Sequence, residues 1–392
     1  MQRFVTIFLI LTAALGLYGS AHAFSSQLED APATNKTTTG AATDAATGAV
    51  PSKATGTAIL AAPAPLPVRH IALLLPLKSQ PFGRAAEVVR QGFMAATDRE
   101  RGSLPIKVYP TSDDVLDILT AYQQALNAGA AIVVGPLTRN GVSALALSNL
   151  VKIPTLTLNA AESETSTPPN LYLFGLQVEI EARQAARLAA TENRQHAFII
   201  NDSSALSLRL QAAFTDEWLK LGGSRASANA LKFDSEPHAL VTLRGRTAGD
   251  NNLVFLALDV AKSRMLRSYL DPATPVYATS QIFTGGSDSL LNHDFNEVRF
   301  LDMPWLLQPD HPAVITYRRA EMPMNADLER LYALGIDAFR LVDLILKPHK
   351  PGSIALDGVT GHISLIAPRQ FVREPVAAMF YQGEIQLLDM TK

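Results

Sequence analysis

Cysteine is absent from the 392-residue chain. That excludes disulfides, thiolate zinc sites, iron–sulfur clusters and a cysteine nucleophile. It also excludes a diacylglyceryl anchor, because that lipid is carried on a cysteine sulfur. A surplus of one charge sign is absent too: 34 Lys and Arg face 36 Asp and Glu, for a formal net charge of −2. Without a basic field, a chain is poorly suited to bulk nucleic-acid binding. Neither absence fixes the compartment, since exported proteins need not contain disulfides.

Catalytic signatures are missing as well. The eight histidines form no His-x-His and no i,i+4 pair, so no metal cluster is visible. There is no Gly-x-Ser-x-Gly, no P-loop and no Ser-x-x-Lys. The paired acids Asp113 and Asp114 stand at the start of an expected helix, where carboxylates cap and meet the helix dipole. The sequence therefore offers no catalytic residue and implies no cofactor or metal.

What is present begins with an export pattern. Arg3 precedes an uncharged, mostly apolar run from Phe4 to Tyr18, and Ala21-His22-Ala23 follows with small residues at both cleavage-determining positions. This is the layout of a secretory signal peptide, and the run is short for a membrane span. Residues 1–23 are read as a signal peptide, with an uncleaved anchor as the alternative. Residues 24–67, rich in Ala, Thr, Pro, Gly and Ser, lack the periodic apolar residues of a core and read as a disordered linker.

From residue 68 onward strands and helices alternate. Ile71–Leu77 and Ala131–Val134 are continuous apolar runs of buried-strand type, and between them lie helical patterns over Pro81–Glu100 and Asp113–Asn127. A helix from Thr138 to Asn149 and a strand at Ile153–Leu158 follow. The order restarts after Leu171–Phe174: helix Glu179–Asn193, strand Ala197–Ile200, helix Leu206–Leu221, strand Ala228–Phe233, helix His238–Arg246, strand Leu253–Leu258, helix Ala261–Leu270 and strand Val276–Ala278. A long amphipathic helix spans Asp327–Leu346, stopped by Pro348, and the tail is β-rich with a Gln382-Gly383 turn. Alternation predicts parallel sheets covered on both faces. The fold class is α/β, with two doubly wound lobes and a cleft between them. Lobe 1 is expected to comprise 68–175 plus 303–350, and lobe 2 176–302 plus 351–392.

This order resembles the type I periplasmic binding protein fold, with Gly358, Thr360-Gly361, Arg373 and Gln382-Gly383 in the tail pattern of leucine-type proteins. Within that fold the sequence is similar to the penicillin-binding protein activator family (LppC/LpoA-like). The stretches carrying the similarity are 71–96 (IALLLPLKSQPFGRAAEVVRQGFMAA), 134–144 (VGPLTRNGVSA), 155–159 (TLTLN), 218–223 (WLKLGG), 277–280 (YATS), 302–306 (DMPWL), 332–339 (YALGIDAF) and 357–361 (DGVTG). The resemblance implies a non-catalytic periplasmic regulator of peptidoglycan synthesis with a class A penicillin-binding protein as partner. The alternative is a solute-binding receptor of an ABC transporter for an amino acid or amide. The sequence departs from the family in lacking the long N-terminal helical-repeat domain, and Ser20 stands near the expected lipidated cysteine. A soluble form cleaved after Ala23, with no lipid anchor, is the expectation.

Ligands of doubly wound folds bind where strands end and helices begin. In lobe 1 that places Ser79, Gln80, Phe82, Gly135, Pro136, Thr138 and Asn159 at the cleft, with Thr138 matching the hydroxyl leucine-type proteins place after a Gly-rich turn. Plain N-capping is the other role open to Thr138. Asn159-Ala160-Ala161 stands where an amino-acid pocket of that type needs a Ser or Thr. In lobe 2 the corresponding residues are Asn201, Asp202, Asp259, Ser280 and Gln281; the first two are equally suited to satisfying loop backbone. Trp305, between Pro304 and Leu306, is a candidate interface residue, marking an inter-lobe or partner surface, with burial in the core as its other reading.

Overall fold

The computed structural model describes residues 68–99, 103–162, 167–192, 194–222, 227–233, 237–286, 289–348, 354–366 and 368–389. The expected signal peptide and linker (1–67) lie outside them. The first βα units run β1 (His70–Leu75), α1 (Gly83–Thr97), β2 (Ile106–Pro110), α2 (Val115–Asn127), β3 (Ala130–Val134), α3 (Arg139–Leu147), β4 (Thr155–Thr157) and β5 (Leu171–Leu173). The second series is α4 (Val178–Ala190), β6 (His196–Asn201), α5 (Ala205–Gly222), β7 (Ser227–Lys232), α6 (Pro237–Thr247), β8 (Asn252–Ala257), α7 (Val260–Arg267), β9 (Val276–Ala278) and β10 (Val298–Asp302). Single-turn helices at Pro304–Leu307 and Pro312–Ile315 lead to α8 (Ala326–Leu346). The tail comprises β11 (Ala355–Asp357), β12 (His362–Ile366), β13 (Gln370–Glu374), β14 (Val376–Tyr381) and β15 (Glu384–Leu387).

Local chemistry accounts for the ends of these elements. Asp114, not Asp113, caps α2, accepting from the N–H groups of Leu116 (2.8 Å) and Asp117 (3.1 Å). Gly129 follows that helix at φ 86°, a left-handed position that suits glycine. Gln382 and Gly383 both take positive φ, 51° and 83°, and close the β14–β15 hairpin as a two-residue turn.

Two sheets result. The first has the order β11-β12-β13-β5-β4-β3-β1-β2 and the second β15-β14-β10-β9-β8-β6-β7. The five parallel strands of each series repeat one order: β2-β1-β3-β4-β5 in the first and β7-β6-β8-β9-β10 in the second. Both are doubly wound. Along β1, Ile71, Leu73 and Leu75 enter one core while Ala72 and Leu74 enter the core on the opposite face. Such two-sided burial is why the strand reads as a continuous apolar run. The second sheet splits likewise, with Phe255 on one face and Val254 and Leu256 on the other.

Helix α8 packs on α1 at unusually close range. A Cβ on Gly92 would stand 1.9 Å from the Tyr332 carbonyl oxygen, and one on Gly335 2.1 Å from that of Val89. The two glycines let the backbones touch, and Phe93 meets Phe339 edge-on at 5.2 Å beside them.

The tail divides differently from the expected lobe boundary at 351. Strands β11–β13 belong to the first sheet, where β13 runs parallel to β5 with Gln370 opposite Leu173. Only β14 and β15 join the second sheet. The chain therefore passes between sheets after β5, after β10 and at Pro375. An alternating strand fits the edge of either sheet by pattern alone, so pairing decided the matter.

Candidate functional site

The lobe 1 mouth is largely occupied by bonds within the chain. Ser79 is buried, and its Oγ accepts from the Phe82 N–H (3.3 Å), steadying the start of α1. Phe82 is half-buried and Gln80 is exposed. Gly135 at φ 112° passes so close to β1 that a Cβ would stand 1.9 Å from the Leu74 carbonyl oxygen. The Pro136 carbonyl accepts from the Leu158 N–H (3.0 Å). The Asn159 amide donates to the Leu137 carbonyl (3.0 Å) and accepts from the Ala160 N–H (2.9 Å). Thr138 departs from the capping role. It occupies the N-cap position of α3, yet its side chain makes no cap bond, and its buried Oγ1 has no hydrogen-bond partner.

The lobe 2 mouth does gather several expected residues. Asp202, Asp259 and Gln281 line one pocket of about 280 Å³, together with Lys262 and the start of α8 at Asn325–Asp327. The buried Asp202 carboxylate accepts from the Ser204 N–H (2.8 Å) and pairs with the Lys262 ammonium. Burial alone would raise this carboxyl; the bonds from Lys262 and Ser204 outweigh it and hold Asp202 below its ordinary value. Asp259 caps α7, accepting from the Lys262 N–H at 2.9 Å. Asn201 is buried, and its amide donates to the Asp202 carbonyl (3.1 Å). Ser280 lies outside the pocket: its N–H donates to Glu181 (3.0 Å), and its carbonyl accepts from Arg330 (3.0 Å). The lobe 1 residues Ser79, Gln80, Phe82, Gly135, Pro136, Thr138 and Asn159 do not line this pocket.

The polar residues that the sequence reading passed over sit where the chain crosses between sheets. Arg330 on α8 grips Asp302 at the end of β10 with Nη2–Oδ2 at 2.6 Å and Nε–Oδ1 at 3.1 Å. Its remaining donors reach Asp327 (2.8 Å) and the carbonyls of Ser280 (3.0 Å) and Phe283 (2.8 Å). Burial works against this cation, but Asp302 more than compensates, so its proton is held more tightly than usual. At the other crossings Arg373 of β13 meets Glu181 of α4 at 2.7 Å, with both side chains 2% exposed. Burial pushes the Glu181 carboxyl above its ordinary range, with Arg373 pulling it back. Asp337, fully buried on α8, accepts from the Val359 N–H (3.0 Å), the Thr360 N–H (2.8 Å) and the Thr360 hydroxyl (2.7 Å). Its carboxyl too is raised by burial, against the pull of Arg340 and Thr360. The signal in the sequence was Arg330 and Asp337, seven residues apart on a helix whose neighbouring positions are nearly all apolar.

Trp305 is wholly buried in the core beside α8, which corrects its reading as a partner-facing surface residue. Its indole N–H donates to Glu329 (2.6 Å), the Arg319 guanidinium stacks over its ring at 4.0 Å, and Tyr332 lies beside it. The single-turn helix Pro304–Leu307 turns it inward toward α8. Among the described residues no helix is long and apolar enough to cross a membrane.

Known proteins share this architecture. A solved structure described as a "putative branched-chain amino acid ABC transporter" from Chromobacterium violaceum has 38% identity and a TM-score of 0.68, covering 80% of this chain and 99% of its own. The C-domain of LpoA from Haemophilus influenzae, described as a regulator of PBP1A, matches at TM-score 0.69 and 22% identity over 82% of this chain and all of its own. Together with the leucine binding protein LivK of Thermotoga maritima (TM-score 0.52, 15% identity, covering 82% of this chain and 98% of its own), these place the fold in the type I periplasmic-binding-protein class. By sequence, the penicillin-binding protein activator LpoA of Edwardsiella piscicida is 29% identical over 300 residues, 66% of this chain and 42% of that protein. LpoA of Pectobacterium parmentieri is 27% identical over 327 residues, 72% and 48% respectively. The chain thus spans less than half the length of these curated relatives. The model of the LppC putative lipoprotein family matches residues 42–383, so the chain belongs to that family.

Proposed function

We propose that this chain is a non-catalytic periplasmic regulator of peptidoglycan synthesis that acts on a class A penicillin-binding protein. One observation carries the reading against a solute receptor. At the lobe 1 mouth the Ser79 and Asn159 side chains are engaged by the chain itself, and the one unengaged hydroxyl among the expected residues, that of Thr138, is buried away from the opening. The lobes are in addition joined by Arg330–Asp302 and Arg373–Glu181, each buried, at the crossings where a receptor would hinge. A body tied in this way suits presentation of a fixed surface to a protein partner. Relatives matched over most of the body carry the activator name.

The ABC-receptor reading keeps one structural point in its favour, the pocket at Asp202, Asp259 and Gln281. Glycan polymerisation and peptide crosslinking by the host's class A synthases, measured with and without the protein, test the regulator reading. Acceleration together with co-purification supports it. Unchanged rates with no capture, and stoichiometric calorimetric binding of a free amino acid, establish the receptor instead. The proposed form is soluble after cleavage behind Ala23. An intact N-terminus in the membrane fraction, found by mass spectrometry, overturns that part.

A further inference from the structure

A second groove, of about 690 Å³, opens on the β5–β13–β12 side of the first sheet, between α3 and α4. Its size falls in the range of small-ligand sites, roughly 300–1,000 Å³. The floor is apolar: Leu173 of β5 and Val372 of β13 project from it, and Ile180 faces it from α4. One face of α4 lines the wall, since positions 177, 180, 184 and 187 recur at helical spacing.

Two features of this groove remain unexplained by folding. Gln184 is 4% exposed, and its amide nitrogen has a long bond to the Arg373 carbonyl (3.4 Å), while its Oε1 is buried without any partner. Gln177, two turns earlier at the N-cap, accepts from the Gln370 amide with its Oε1 (3.2 Å), but its buried Nε2 has no partner. An unsatisfied buried acceptor and an unsatisfied buried donor along one groove wall each cost stability. A peptide ligand, with an N–H and a C=O at each amide, supplies the partner each lacks.

The rim is mixed in charge. Arg139 and Arg187 are already paired, with Glu179 at 3.8 Å and Glu217 at 2.7 Å. Arg183 and Arg369 line the groove without a carboxylate partner among the described residues: Arg183 reaches only the Glu179 carbonyl, and Arg369 lies over the Tyr172 ring. Glu162 and Glu374 line it without a cation in the same way. Two open cations and two open anions around an apolar floor ask for a ligand that carries both signs.

We propose that this groove binds a short zwitterionic peptide. A free carboxylate is taken by Arg183 and Arg369, an ammonium by Glu162 or Glu374, a backbone N–H by Gln184, a backbone C=O by Gln177, and a small apolar side chain by the floor. Stem peptides of peptidoglycan and ordinary peptide ends both offer this chemistry. The site is independent of the regulator proposal, because binding is scored with no synthase present.

The test is titration calorimetry of the full chain with two probes. One is L-Ala-γ-D-Glu-meso-diaminopimelyl-D-Ala; the other is the all-L peptide Ala-Glu-Lys-Ala with free ends. One-to-one binding of at least one probe is expected, weakened about tenfold or more by Arg183→Ala and by Arg369→Ala, as loss of a charge-assisted bond implies. Gln184→Leu weakens it less, and Arg90→Ala, on α1, leaves it unchanged. Preference between the probes assigns the source. Circular dichroism confirms that each variant is folded, and both arginine positions are only half-buried. Absence of binding by both probes overturns the proposal, as does binding indifferent to both arginine variants. Equal binding of an acetylated probe with its lysine replaced by norleucine removes the requirement for a zwitterion and overturns it equally.

Discussion

Arg330→Met is the most direct probe of how the lobes are held. The substitution keeps the aliphatic bulk of the side chain and deletes the guanidinium. Asp302 would then be a buried carboxylate, 1% exposed, retaining only the Met303 N–H at 2.8 Å. The carbonyls of Ser280 and Phe283 would lose their donor from Arg330 at the same time. Stranding one member of a buried pair costs about 3–5 kcal/mol. Unfolding entropy of about 2.1 cal/mol/K per residue over roughly 320 residues gives roughly 0.7 kcal/mol/K, so Tm should fall by about 4–8 °C. The double variant Asp302→Leu/Arg330→Met removes both charges, and it should recover at least half of that loss, because the buried charge itself is gone. Differential scanning calorimetry of wild type, both single variants and the double variant completes the cycle. A drop of less than about 1 °C for Arg330→Met would refute the reasoning. So would a double variant as unstable as the two single losses added together, since the charges would then not be coupled.

Other consequences are equally open to measurement. Thr138→Val exchanges a buried, unpartnered hydroxyl for a methyl of similar shape, so stability in urea should change by less than about 1 kcal/mol. A larger loss would show that the hydroxyl has a partner in solution. Gly92→Ala drives a Cβ into the Tyr332 carbonyl, and the urea midpoint should fall by an amount equivalent to about 3 kcal/mol, at or above the upper end for an overpacked site. A neutral result would mean that α1 and α8 separate at little cost. Asp202 has a folded-state value below its unfolded one, so its stabilisation is present above the ordinary carboxylate range and is lost as pH falls through the lowered value. Asp202→Asn should therefore be less stable than wild type at neutral pH, with the gap closing on acidification below about pH 4. A gap that stays constant with pH would contradict this.

Much of the architecture was legible because burial leaves a periodic trace. Runs such as 71–75 and 253–257 are apolar on successive residues only if both faces are covered, and α8 shows its stripe over 21 residues. The Gln382-Gly383 turn was readable from local backbone chemistry. The candidate site was less legible. Asp202, Asp259 and Gln281 converge on one pocket, but Trp305 turned inward and Thr138 caps nothing. A lone aromatic or hydroxyl carries no signal of which way its element will face.

The sequence by itself determined the lack of thiol chemistry, the two doubly wound series and the long closing helix, since each follows from composition or from contacts between near neighbours. Tertiary structure alone decided that β11–β13 complete the first sheet and that Arg373 finds Glu181, 192 residues away. It also decided that Arg330 closes on Asp302. A buried charge is tolerated only where an opposite charge meets it, and which partner arrives depends on how distant strands pair, a choice that local pattern does not encode.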